Sequence, residues 1–90
     1  MQEIIKIIEK GLQSENMEDC AYAIRACYIH HISDKKIISL LEMLKSNNRV
    51  AMMHKISDMA IATLDMLEVE KYSGDNPTII EIINTGFYNE

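Results

Sequence analysis

Apolar residues recur at spacings of three and four along almost the whole chain, and this periodicity constrains the fold more than any other feature. Such spacings place side chains on one face of an α-helix, whereas a half-buried strand alternates apolar and polar residues. No convincing alternating run occurs. The 90 residues also include only three Gly and one Pro, too little turn material for a small β-sandwich or barrel. The pattern therefore predicts an all-α fold.

Short polar segments divide this pattern into five predicted helices, which form a single domain over residues 1–90. Capping residues support the division, because Asn16 and Asn76 suit N-caps, Pro77 suits a first helical position, and Gly86 suits a helix end. The tail after Gly86 is expected either to fold back on the domain or to fray. The predicted helices cover residues 2–13, a segment that opens near Met17, a segment capped by Ser33 or Asp34, residues 50–70 and residues 77–84.

The fourth helix is predicted to be the longest and to carry two stripes of side chains. One stripe is aliphatic and is expected to face the core together with Met53. The other consists of Met52, Met59 and Met66 at intervals of seven residues. Methionine side chains adapt readily to different neighbours, so this second stripe could fill the core or serve as a contact surface.

Internal similarity predicts how the helices pack. Residues 4–9 (IIKIIE) align with residues 37–42 (IISLLE), and residues 79–83 (IIEII) repeat the paired aliphatic pattern. Residues 23–24 and 60–61 are both Ala-Ile. Repeats of this length are typical of stacked helix pairs, in which no single repeat buries its apolar face alone. We therefore expect about two and a half antiparallel helix pairs.

Two segments, residues 40–46 (LLEMLKS) and residues 56–64 (ISDMAIATL), resemble the repeats of HEAT-like proteins. In that family a Leu-rich segment ends one helix, polar residues form a turn, and the next helix packs Ala and Leu inward. The chain departs from the pattern where extra residues follow Arg49-Val50 and where Glu68 replaces the usual Gly. The resemblance implies a short α–α superhelix that holds a partner protein. Armadillo-type packing and a simple five-helix bundle remain alternatives.

The charge distribution points to a class of partner. The net charge is −5, and residues 49–90 hold seven acids and three bases, a net charge of −4. An acidic chain repels nucleic-acid phosphates, so direct nucleic-acid binding is disfavoured, whereas a basic protein would be attracted. A solvated helix face is the alternative reading of these acids. The candidate partner-binding residues are Asp58, Asp65, Glu68, Glu70, Asp75 and Glu81, of which Asp58, Asp65 and Glu68 form a predicted ridge on helix four.

Catalytic, metal and cofactor sites are not predicted. Cys20 and Cys27 are two helical turns apart, roughly 10.5 Å along the axis, which is too far for a disulfide. They are expected to be buried thiols. Cys27 and His31 could reach one metal from adjacent turns, but the chain offers no CxxC or HxxxH motif to complete four ligands. Neither a Ser, His and Asp constellation nor a glycine-rich phosphate loop can be assembled.

These observations favour a non-catalytic protein in the cytoplasm. The N-terminus lacks the basic flank and apolar run of a signal peptide, and no apolar stretch approaches the ~18 residues of a membrane span. The most concrete hypothesis is an acidic immunity or antitoxin protein that neutralises a basic toxin domain such as a nuclease. The alternative is a helical scaffold or adaptor subunit of a larger complex, with a homodimer through the methionine stripe left open.

Overall fold

The structure is a computed structural model that describes residues 2–87, and it confirms the predicted all-α fold. Five helices and one short antiparallel hairpin account for the regular structure of this part of the chain. No helix within it is both long and apolar enough to cross a membrane. The elements are α1 (Gln2–Leu12), α2 (Met17–Ile29), α3 (Lys35–Leu44), β1 (Val50–Ala51), β2 (His54–Lys55), α4 (Ile56–Met66) and α5 (Pro77–Thr85).

The predicted capping residues lie where the helices begin and end. The Asn16 side chain accepts hydrogen bonds from two backbone N–H groups in the first turn of α2, and Asn76 does the same for α5. Of the two candidates for α3, the cap is Asp34. Pro77 occupies the first turn of α5, and Gly86 ends that helix with a left-handed φ of 62°. Local sequence therefore determines where α2, α3 and α5 begin and where α5 ends.

The fourth helix is shorter than predicted. Spacing placed it at residues 50–70, but α4 covers only Ile56–Met66, and residues 50–55 form the β1–β2 hairpin. Met52 and Met53 make the hairpin turn with φ of 55° and 73°. Two-residue hairpin loops of the commonest type require such left-handed backbone at both positions, where Asn and Gly are usual. Because the turn contains neither residue, its sequence does not signal a hairpin.

The hairpin also breaks the predicted methionine stripe. Met59 is 1% exposed and lies in the core, Met66 is half-buried, and Met52 lies on the turn. Met53, which the helical spacing placed in the core, is instead 92% exposed at the tip of the hairpin. The prediction that Met52, Met59 and Met66 form a stripe along one helix was therefore wrong, because the spacing of seven crosses a change of secondary structure.

The helices stack as two pairs, α1–α2 and α3–α4, with α5 packed against α4. The pairs meet through contacts of α1 with α3 and of α2 with α4, as expected for antiparallel helix pairs laid side by side. Ala60 and Ala62 are fully buried in α4, and their small side chains let neighbouring helices approach closely. Membership of the HEAT-like family stays a prediction, because stacked pairs also occur in other helical folds.

Cys20 and Cys27 are both fully buried and unbonded to each other, as predicted. Burial raises the pKa of the Cys20 thiol and raises that of Cys27 to about 12. The Cys20 thiol donates a weak hydrogen bond to the Leu12 carbonyl at 3.7 Å. Both residues therefore behave as small apolar side chains, and Cys20 ties α2 to the end of α1.

The beginning of the C-terminal tail folds back on the domain. Phe87 is 9% exposed, and its ring lies 6.0 Å from that of Tyr28, centroid to centroid. A Cβ atom at Gly86 would lie 2.7 Å from the Tyr28 hydroxyl. Both this close approach and the left-handed φ of the residue therefore require glycine at position 86. The prediction for Tyr88 lies outside the described residues.

Replacing Met53 with Gly should stabilise the protein. A left-handed conformation costs an L-residue roughly 1–2 kcal/mol, which exceeds the penalty of about 0.5–1 kcal/mol that glycine adds through the unfolded chain. Met53 is 92% exposed, so little packing is lost. We expect M53G to raise the free energy of unfolding by about 0.5–1 kcal/mol in urea denaturation. The control M53A removes the same side chain but keeps the strain, and equal stability of the two variants would contradict the left-handed turn.

Candidate acidic partner-binding site

Three of the six candidate carboxylates lie in the connection between α4 and α5, residues 67–76, which we call the acidic loop. Glu68, Glu70 and Asp75 are all exposed there, and Lys71 is the one basic residue among these ten positions. The acidic loop therefore carries a formal charge of −2. Its shape depends on how α4 ends and on how two side chains hold the loop.

α4 ends in a left-handed turn at Glu68, whose φ is 61°. The Glu68 N–H donates to the Asp65 carbonyl at 2.9 Å, and the Val69 N–H donates to the Leu64 carbonyl at 3.0 Å. This pair of bonds is the Schellman arrangement, in which the left-handed position is usually Gly. Glu68 adopts this conformation at a cost in backbone strain. Strained residues of this kind cluster at functional sites.

Asp65 and Tyr72 hold the middle of the acidic loop. Asp65 Oδ2 accepts a hydrogen bond from the Tyr72 backbone N–H at 2.7 Å, and the Tyr72 hydroxyl oxygen accepts one from the Asn76 N–H at 2.9 Å. A Cβ atom at Gly74 would overlap the Tyr72 ring and hydroxyl, so glycine is needed for the loop to cover this side chain. Asn76 in turn caps α5, which makes the connection continuous from α4 to α5.

Glu70 ties the acidic loop to α3 through an ion pair. Lys45 Nζ lies 3.0 Å from both carboxylate oxygens of Glu70 and 3.0 Å from Glu42 Oε1. The hydrogen bond from Lys45 holds the pKa of the Glu70 carboxyl below its usual range. The hydrogen bonds to Glu42 and Glu70 raise the pKa of Lys45. Glu70 thus has a partner within the chain, although its side chain is 50% exposed.

The remaining candidates do not complete one acidic ridge along a helix. Asp58 is half-buried in the first turn of α4, where the helix dipole favours a carboxylate, but Glu68 lies beyond the end of this helix. Asp58, Glu68 and Asp75 form no ion pair or side-chain hydrogen bond with any residue of 2–87. Glu81 lies on α5 and lines a cavity away from the acidic loop. The candidate carboxylates that lie together in one segment are therefore those of the acidic loop, and Asp65 holds its backbone.

The cavity beside Glu81 brings together residues that the sequence did not connect. Arg25 of α2, His54 of the hairpin and Glu81 all line it. His54 Nδ1 is buried without a hydrogen-bond partner in the described chain. The cavity volume of about 50 Å³ has room for water rather than for an organic ligand. No role was predicted for His54, because the helical spacing hid the hairpin that places it here.

The structure separates the two residues that could have shared a metal ion. Cys27 is fully buried, whereas His31 is exposed after the end of α2 with a φ of 54°. Within residues 2–87, no three His, Cys, Asp or Glu side chains gather as a metal site. Neither residue therefore contributes to the candidate site.

Comparison of the chain with protein-family models, with curated proteins and with solved structures gives no match. The acidic loop itself has two properties that bear on binding. The carboxylates of Glu68 and Asp75 are exposed, and the loop is held through Asp65, Tyr72 and Glu70.

The pairing of Glu70 with Lys45 should be visible in a pH titration. Because the pKa of Glu70 is depressed, the pair contributes to stability above the ordinary carboxyl pKa, and this contribution is lost as the pH falls through the folded-state value. Replacing Lys45 with Met should raise the pKa of Glu70 toward its usual range, as measured by carbon-13 NMR of the side-chain carboxyl. The control K36M removes a different ion pair, that of Lys36 with Glu9. An unchanged Glu70 pKa in K45M would contradict the pairing.

Proposed function

We propose that the chain is a non-catalytic protein-binding module whose acidic loop docks a basic protein. In its most concrete form, the proposal is an immunity protein that neutralises a basic nuclease toxin domain. The observation that carries the proposal is that exposed carboxylates are displayed on a loop that is held by a hydrogen bond to Asp65 of α4, by the Tyr72–Asn76 hydrogen bond and by the ion pair of Glu70 with Lys45.

Fixing the loop before binding favours association. A flexible acidic segment loses conformational entropy when a partner orders it, and this loss reduces affinity. The acidic loop is already ordered by the Asp65–Tyr72 and Tyr72–Asn76 hydrogen bonds and by the Lys45–Glu70 ion pair. Its carboxylates can therefore meet a partner without much of this loss.

The chemistry of carboxylates explains why the partner would be basic. Glu68 and Asp75 are exposed and have no ion-pair partner within the described part of the chain. Arginine binds carboxylates through two parallel hydrogen bonds, as it does phosphates. Carboxylates on the acidic loop would thus bind the arginine side chains with which a nuclease holds nucleic-acid phosphate. The net charge of −5 would also accelerate encounter with a basic surface.

Charge reversal tests the proposal. The proposal predicts that a basic nuclease domain is encoded beside the gene for this chain, and 1:1 binding of that domain is measured by calorimetry. The double variant E68K/D75K should weaken binding at least tenfold, which corresponds to about 1.4 kcal/mol. The control E3K/E15K makes the same change in net charge at exposed positions outside the acidic loop and should have a much smaller effect.

Salt dependence provides an independent check on the same complex. Raising the salt concentration from about 0.1 M to about 1 M shortens the Debye length from roughly 10 Å to about 3 Å and should weaken an electrostatic complex. No binding by the basic neighbour, or binding insensitive both to salt and to E68K/D75K, would overturn the proposal. Equal weakening by the control variant would exclude the acidic loop as the specific docking site.

A further inference from the structure

A groove between α1 and α2 is lined only by residues of that helix pair and the turn joining them, and has a volume of about 520 Å³. Gly11, Ala23 and Ala26 are small residues that give the groove its depth. Ile7 and Tyr22 line the same groove as large side chains that are 70% and 58% exposed. Large exposed apolar residues and a depression of apolar character thus occur on one surface.

The close approach of the two helices explains the groove. A Cβ atom at Gly11 would lie only 2.7 Å from the Cβ of Ala23, so α1 and α2 touch where neither carries a large side chain. Of the two neighbouring isoleucines Ile7 and Ile8 on α1, Ile8 is buried. Ile7 is not, because it projects from the outer side of the helix pair. No other helix of the described chain contributes to this groove.

Opposite charges also line the groove. Lys10 lies on α1 and Asp19 lies on α2. Neither side chain forms an ion pair within residues 2–87. The groove therefore carries a positive and a negative side chain that are both free to pair with another molecule.

This surface carries both projecting apolar side chains and a depression, and both a lysine and an aspartate, so it is complementary to a second copy of itself. In a two-fold symmetric interface the same patch meets on both subunits, so every contact occurs twice. We propose that the chain forms a homodimer through this groove. Ile7 and Tyr22 of one protomer enter the depression of its partner, and Lys10 of each protomer faces Asp19 of the other.

Such a dimer requires apolar surface beyond the groove itself, and α2 supplies some of it. A stable interface commonly buries about 800 Å² per partner, roughly a seventh of the 5701 Å² surface of the chain. Ile29 is 59% exposed and lies two turns beyond Tyr22 on the same face of α2, so it extends the apolar surface beyond the groove. The acidic loop shares no residue with this interface, so the dimer does not depend on the proposed function.

Self-association of the full chain tests the proposal by sedimentation equilibrium from micromolar to millimolar concentration. We expect a species with twice the 10.3 kDa mass of the chain. The variants I7E and Y22E should weaken the dimer at least tenfold. The matched control M43E places the same charge at a residue of α3 that is 69% exposed and should leave dimerisation unchanged. A chain that stays monomeric at millimolar concentration, or a dimer that tolerates both I7E and Y22E, would overturn the proposal.

A mixing experiment distinguishes the two-fold arrangement from other contacts. K10E alone and D19K alone should each dimerise poorly, because like charges face each other across the axis. Mixed in equal amounts, the two variants should form a heterodimer. In one half of its interface the introduced glutamate faces the introduced lysine, and in the other half the original Lys10–Asp19 contact is kept. Circular dichroism confirms that each variant is folded. No recovery on mixing would exclude this two-fold geometry.

Discussion

The burial of α4 is the constraint on which the rest of the structure depends. Seven of its eleven residues are buried, and the other four are half-buried, so no face of this helix is open to solvent. α2, α3 and α5 surround α4, and the small side chains of Ala60 and Ala62 let neighbouring helices approach it closely. These three helices bury their apolar faces against α4, and α1 packs in turn on α2 and α3.

The acidic loop obtains its order from this buried helix. Asp65 is one of the few polar residues of α4, and its carboxylate reaches the edge of the core, where it accepts the Tyr72 N–H. A hydrogen bond to a charged group in a partly buried place is stronger than an exposed one between neutral groups. The loop is therefore attached to the most constrained part of the molecule, while Glu68 and Asp75 remain in solvent.

Local sequence predicts the helix ends wherever standard capping residues are present, which is why Asn16, Asn76 and Gly86 were assigned correctly. The prediction from local sequence failed where residues other than Gly or Asn adopt a left-handed backbone conformation. Met52, Met53 and Glu68 all have positive φ without being Gly or Asn. Residues 50–55 also preserve helical apolar spacing, so their periodicity favoured a helix although the chain forms a hairpin. The hairpin has packing contacts that the spacing does not reveal, since β1 contacts α2 and Ala51 is buried.

The sequence predicted the charges of the candidate site but not its contacts. Composition located the acidic half of the chain and so identified the acidic loop carboxylates. It could not reveal that Glu70 pairs with Lys45, 25 residues earlier in the sequence, because that contact depends on the path of the loop. Nor could it separate Ile7 from its buried neighbour Ile8. The available signal was the number of isoleucines in α1, since those at positions 4, 5, 7 and 8 together span more of the helix surface than one apolar stripe.

Native-state hydrogen exchange tests the central position of α4 most directly. If the other helices pack around α4, its interior amides should exchange only through global unfolding, with an opening free energy equal to that of complete denaturation. The amides of α5, which packs chiefly against α4, should open at lower free energy. Amides of α4 that exchange through a partial opening while α1 and α2 stay protected would contradict this account.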